Sequence, residues 1–101
     1  KRKPTYNLNS LKKVFCNAES LAGKVTNSAL MGARELGFTR GDIILVVKYL
    51  SVRNFYKSMT SFGDHRIWQD VYRTTYRRKH LYIKFTVQAD GKYLLISFKE
   101  K

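Results

Sequence analysis

Acidic residues are scarce in this chain: seven Asp and Glu face twenty Lys and Arg among 101 residues, leaving a formal charge of +13. No charged tail accounts for the excess, because residues 1–50 carry nine basic and three acidic groups (+6) and residues 51–101 carry eleven and four (+7). On so small a body this creates a strong positive field, which speeds encounter with nucleic acid or another acidic surface and makes binding salt-sensitive. Cysteine is almost absent too. The lone Cys16 excludes an internal disulfide, and its place in an apolar, helix-like stretch fits a core thiol in a reduced cytoplasm. The longest aliphatic run, Ile43 to Val47, is far too short for a transmembrane helix. The basic start Lys1-Arg2-Lys3 is followed by no apolar block over Pro4 to Lys13, so export is not expected. With a single proline, no internal repeat and no low-complexity stretch, nothing marks a linker, and the length suits one domain over residues 1–101.

The residues that are present divide the chain in two. Leu8, Leu11, Val14, Phe15 and Ala18 recur at helical spacing, with Asn7 or Asn9 available as a cap. Thr26 can cap a second helix through Leu30, Ala33 and Leu36, which Gly37 would end. Thr39 and Asp42 form a capping-box pattern ahead of Ile43, Val46, Val47 and Leu50, a third helix. After Ser51 the period drops to two, predicting strands near Phe55–Ser61, Ile67–Tyr76, His80–Ala89 and Lys92–Glu100. Helices first and strands later imply an α+β fold: three N-terminal helices on a C-terminal antiparallel meander of about four strands, with room for one more short strand at the N-terminus.

Lysines interrupt these strands where a sheet buried on both faces would hold apolar or neutral side chains. Reading Asp90-Gly91 as a two-residue turn pairs Ala89 with Lys92 and, at constant register, Tyr82 with Lys99. One face of that hairpin then carries Leu81, Ile83, Phe85, Val87, Leu94, Ile96 and Phe98 toward the helices; the other carries Tyr82, Lys84, Thr86, Ser97 and Lys99. The two earlier strands are mixed on both faces, and a bulge or strong twist is needed to bring Lys57 over the polar side. His65 in a turn and His80 at a strand start read as surface or structural residues without a fixed partner. Asp64-His65 lacks the further ligands of a metal site, so neither a metal nor another cofactor is expected. Trp68 reads as a core anchor rather than a base platform.

The runs F-Y-K-S-M-T (Phe55–Thr60), D-H-x-I-W-Q-D-V-Y-R (Asp64–Arg73), L-Y-I-K (Leu81–Lys84) and S-F-K-E-K (Ser97–Lys101) closely resemble the motility quorum-sensing regulator toxin family, MqsR. The helical segment A-R-E-L-G (Ala33–Gly37) is similar to the family's A-D-E-L-G, and the resemblance runs end to end. It implies a bacterial type II toxin with a RelE-like fold: a cytoplasmic, sequence-selective endoribonuclease that cuts mRNA at GC-containing sites and so arrests translation and growth. It also implies a cognate antitoxin that pairs a zinc-binding region with a helix-turn-helix region, through which alone the toxin would meet DNA. The family's catalytic lysine in F-Y-K-S corresponds to Lys57, its glutamine in I-W-Q-D to Gln69, its third-strand tyrosine to Tyr82, and its lysine in S-F-K-E to Lys99. Arg73, Lys84, Arg77 and Arg78 are the RNA-binding candidates, although R-T-T-Y-R-R-K (Arg73–Lys79) departs from the family in having no proline after the arginine.

Such chemistry needs no metal, because the ribose 2′-hydroxyl can attack its own phosphate to leave a cyclic phosphate and a 5′-hydroxyl. Clustered lysines repel one another's protons, which favours a general base, and they neutralise the phosphorane. Lys57 or Lys99 would fill these roles, Tyr82 would act as acid or position the phosphate, and Gln69 would hold a phosphate oxygen or the scissile nucleotide. The residues leave open which lysine is base. Two other classes fit the charge: a non-enzymatic basic nucleic-acid-binding module, and an interaction protein matched to an acidic partner.

Overall fold

The computed structural model describes residues 2–16 and 25–101. Among them are three α-helices, α1 (Leu8–Phe15), α2 (Asn27–Glu35) and α3 (Arg40–Lys48), a short 3-10 turn (Val52–Asn54), and four strands, β1 (Phe55–Ser61), β2 (Asp64–Tyr76), β3 (Lys79–Val87) and β4 (Tyr93–Glu100). The strands form one antiparallel sheet in the order β1-β2-β3-β4, the α+β meander that the change of period predicts. Ala18, counted with the first helix, lies outside the described residues.

Each helix starts where a short polar side chain can replace a missing backbone acceptor. Asn7 accepts from the Ser10 amide at 3.0 Å and Thr26 from the Ala29 amide at 3.2 Å. Thr39 and Asp42 close a reciprocal capping box, with the Thr39 amide 2.8 Å from the Asp42 carboxylate. After α2 the chain turns at Gly37, whose φ of +78° is open to a residue without a Cβ. The helices cover one face of the sheet. Leu11, Phe15, Ala33, Ile43 and Val47 pack there against Tyr72, Leu81, Ile83, Phe85, Leu95 and Phe98. Cys16 is half-buried at the margin of this core.

Among the described residues the extra N-terminal strand is reduced to one parallel bridge, Val25 to Leu95 on the outer side of β4, and residues 2–7 form no strand. The Thr5 and Tyr6 amides donate instead to the two carboxylate oxygens of buried Asp70, at 3.0 and 2.8 Å, and Tyr6 Oη donates to the Trp68 carbonyl at 2.7 Å. With those amides turned onto a side chain, Thr5 and Tyr6 lie over the sheet as a short strap, between Ser58 of β1 and Tyr93 of β4. Trp68 shares the strap's side of the sheet but is only half-buried and stands outside the main core cluster.

The last hairpin differs from its expected form in two compensating ways. Its loop has three residues, Ala89 to Gly91, closed by Gln88 and Lys92, with Gly91 at φ +84°. This is a type I turn followed by a left-handed residue, so Ala89 and Lys92 are not a pair. The ladder next to the loop pairs Val87 with Tyr93 and Phe85 with Leu95, and then a bulge at Ile96 restores Lys84 opposite Ser97 and Tyr82 opposite Lys99. Because the bulge reverses the parity of β4, Leu95 enters the core in place of Leu94 and Ile96, both half-buried.

Tyr72 is an irregularity inside this core. Its ring is fully buried, in edge contact with Phe55 and Phe85, yet its hydroxyl has no hydrogen-bond partner among the described residues. Burial, reinforced by the Asp70 carboxylate, pushes its pKa up to about 12. Removing an unsatisfied buried hydroxyl while keeping the ring relieves about 1–2 kcal/mol of desolvation cost. Tyr72→Phe is therefore expected to raise the denaturant midpoint at unchanged m-value; a lower midpoint would mean that the hydroxyl is satisfied in solution.

Candidate active site

The face of the sheet turned away from the helices collects cations from all four strands. Along one cross-strand row stand Lys57, Val71, Lys84 and Ser97, and along the next stand Arg73, Tyr82 and Lys99. Lys57 reaches this face because β1 is bulged: Phe55 pairs with Tyr72 on the core side and Lys57 with Val71 on the outer side, leaving Tyr56 as the extra residue. Tyr56 thereby joins the outer face. Its ring meets that of Tyr82 edge-on at 6.2 Å, and the Arg73 guanidinium lies 4.2 Å from its centroid.

Two phenol rings thus form the floor beneath four cations. Lys57 Nζ is 5.3 Å from the Tyr56 centroid, while Lys84 Nζ and Lys99 Nζ are 5.6 and 5.9 Å from the Tyr82 centroid. These are cation–π distances that hold ammonium groups over an aromatic surface. No ion pair among the described residues involves any of the four cations. The strand carboxylates are turned elsewhere: Asp70 faces the strap, and Glu100 pairs with Lys79 at 3.9 Å. Lys84, on β3, is partly buried among the cations. Its pKa is lowered, first by partial burial and then by the charges of Lys99 and Lys57.

Gln69 shares the outer face but not the cluster's centre. It pairs with Met59 and is a diagonal neighbour of Lys57, whereas Arg73, the partner of Tyr82, lies four residues further along β2, roughly 13 Å at the strand rise. Arg77 and Arg78 form the β2–β3 turn, both at positive φ (+49° and +68°). Arg77 is directed at the helices, with its guanidinium 3.3 Å from the Asp42 carboxylate. That carboxylate also accepts from Tyr76 Oη at 2.7 Å, and its bond to the Thr39 amide, followed by the one to Tyr76, holds its pKa below the ordinary range. Arg78 is exposed. His80 does have a partner, Thr75 Oγ1 at 3.1 Å from Nδ1.

Comparison with known proteins gives this face a context. The family model described as "Motility quorum-sensing regulator, toxin of MqsA" matches residues 3–100. A curated relative, the mRNA interferase toxin MqsR of Escherichia coli (strain K12), is 45% identical over 101 residues, covering all of this chain and 98% of the relative. The chain belongs to the MqsR toxin family.

One residue of this MqsR-family face, Tyr56, and the central position of another, Lys84, were not legible in the sequence. Tyr56 alternates with Lys57 in sequence and would point to the core in a regular strand; only the bulge brings both outward. Lys84 was visible by parity with Tyr82, but its position between Lys57 and Lys99 depends on the order of the strands. No helix among the described residues is long and apolar enough to cross a membrane.

Proposed function

We propose that this MqsR-family protein is the toxin of a toxin–antitoxin pair and acts as an endoribonuclease on mRNA. The carrying observation is the outer sheet face, where Lys57, Arg73, Lys84 and Lys99 gather around Tyr56 and Tyr82 and make no ion pair among the described residues. Such a face attracts a polyanion, and the phenol rings offer apolar surface to unpaired bases. The reaction is attack of the ribose 2′-hydroxyl on the adjacent phosphate, without a metal. Lys57 and Lys99 neutralise the phosphorane, Tyr82 serves the leaving oxygen, and Gln69, removed from the centre, holds a flanking nucleotide. Arg73 and Lys84 contact the RNA backbone at the site, with Arg77 and Arg78 at its margin. Cleavage falls at GC-containing sites in the bacterial cytoplasm. The neutralising partner is an antitoxin with zinc-binding and helix-turn-helix regions, and DNA is reached only through it.

The test is incubation of the purified protein with GC-containing RNA in EDTA, followed by analysis of the fragment ends. Fragments with 5′-hydroxyl and cyclic phosphate ends are expected. RNA that stays intact at a protein concentration shown to bind it would leave the non-enzymatic RNA-binding reading in its place.

A further inference from the structure

We propose that Lys84, rather than Lys57 or Lys99, is the general base that removes the 2′-hydroxyl proton, with Tyr82, two residues away on the same strand, as the acid that meets the leaving oxygen. This rests on the endoribonuclease reading and asks which side chain moves the proton.

The argument begins with the order of the strands. β1 and β4 are the edges of the sheet, and β2 and β3 its interior. Lys57 stands on outer strand β1, and Lys99, on outer strand β4 beside α2, is exposed. Lys84 stands on an interior strand, with Lys57 across Val71 on one side and Lys99 at the diagonal position beyond Ser97 on the other. On the same face it is flanked by Val71 and Arg73 of β2, Tyr82 of its own strand and Ser97 of β4, and the nearest acidic side chain of the packed helices, Glu35 of α2, lines the groove beside Ser97 and Lys99 without an ion pair to Lys84 among the described residues. Partial burial and like charge on both flanks both disfavour its protonated form, consistent with the direction of its pKa shift. Arg73, the other basic residue among these interior-strand positions, carries a planar guanidinium fork, suited to binding phosphate rather than to accepting a proton.

Placement relative to Tyr82 adds a second, independent reason. Side chains at i and i+2 of a strand leave the same face about 7 Å apart, so an amine and a phenol there can stand on opposite sides of one phosphate. In the reaction the neutral Lys84 Nζ takes the proton as the 2′-oxygen bonds to phosphorus. The bond from phosphorus to the 5′-oxygen breaks, and that oxygen receives the Tyr82 proton. The products are a 2′,3′-cyclic phosphate and a 5′-hydroxyl; Lys84 then releases its proton to solvent and Tyr82 regains one. Lys57 and Lys99 act throughout as electrostatic clamps.

The experiment is single-turnover cleavage of a GC-containing RNA from about pH 6 to about pH 9, with binding followed separately on the same RNA carrying 2′-O-methyl groups. For wild type, the rate should rise with pH as Lys84 loses its proton. Lys84→Arg keeps the charge but cannot accept the proton; it should cleave about 10²-fold more slowly or worse while still binding the methylated RNA. A Lys84→Arg rate close to wild type, with the same pH midpoint, would overturn the proposal. Should Lys84→Arg fail to fold, Lys99→Gln decides. Removing the neighbouring charge should move the midpoint of the rate profile to higher pH, and an unmoved midpoint would overturn it. A wild-type protein that binds but never cleaves would instead refute the endoribonuclease reading itself.

Discussion

Lys57→Ala and Lys99→Ala are each expected to lower the single-turnover cleavage rate by about 10²-fold, the magnitude typical for losing one preorganised charge at a developing anion. The fold should survive both changes. Neither ammonium makes an ion pair among the described residues, and both lysines project from edge strands away from the core. Stability should, if anything, rise. Lys84 holds its proton less tightly in the folded chain than in the unfolded one, so at neutral pH it opposes folding. In the window between its lowered value and the ordinary lysine value of 10.5, the unfolded chain binds more protons, and stability increases with pH. Removing Lys99, the larger of the two charge contributions to that shift, relieves part of the strain at neutral pH. Cleavage rates at saturating protein, paired with thermal melts, check both halves of the expectation. A purely electrostatic RNA-binding surface behaves differently: each substitution would weaken binding and shallow its salt dependence by about one counterion. Rates within twofold of wild type for both variants would show that the reaction happens elsewhere.

Much of this arrangement was legible because it is local. Asn7, Thr26 and Thr39 cap the helices they were expected to cap, and Gly37 ends the second one. These signals work because a helix end has unsatisfied amides that only a nearby short polar side chain can reach. The pairing of Tyr82 with Lys99 was anticipated for a reason that was partly wrong, since the assumed two-residue turn is a three-residue loop whose offset is cancelled by the bulge at Ile96. A bulge has no strong residue signature, so its effect on Leu94, Leu95 and Ile96 could not be read from alternation. The outward turn of Tyr56 was hidden by the same device. Asp70 was missed as an anchor because its partners, the amides of Thr5 and Tyr6, are far away in sequence. The four candidate residues carried by the family resemblance share one face, but only strand order reveals that Lys84 lies between two of them while Gln69 lies off to one side.

Gly32→Ala is expected to destabilise the protein by about 2–3 kcal/mol and to impair cleavage with it. In an exposed helix interior the same change stabilises by about 1 kcal/mol, because alanine loses less backbone entropy on folding. Here the sign reverses. α2 lies against edge strand β4, and a Cβ built on Gly32 would fall 2.1 Å from the Phe98 carbonyl oxygen and 3.2 Å from its carbon. Those are backbone atoms inside a hydrogen-bonded strand, so no side chain can rotate aside to make room. The helix must lift away from β4 or the strand must move, the usual overpacking penalty of about 1–3 kcal/mol with the upper end favoured by so deep an overlap. Phe98 is a core residue, and the adjacent Lys99 belongs to the proposed site, so displacement here is expected to disturb packing and cleavage together. Gly41→Ala is the matched control. In α3 its Cβ would meet only Thr39 Oγ1 at 3.5 Å, an ordinary contact, and it should be neutral or stabilising. Denaturant midpoints for the two variants should therefore move in opposite directions, or Gly32 alone should fall. If Gly32→Ala matched Gly41→Ala in stability, α2 would not sit this close to β4, and Lys99 would not owe its position to that contact.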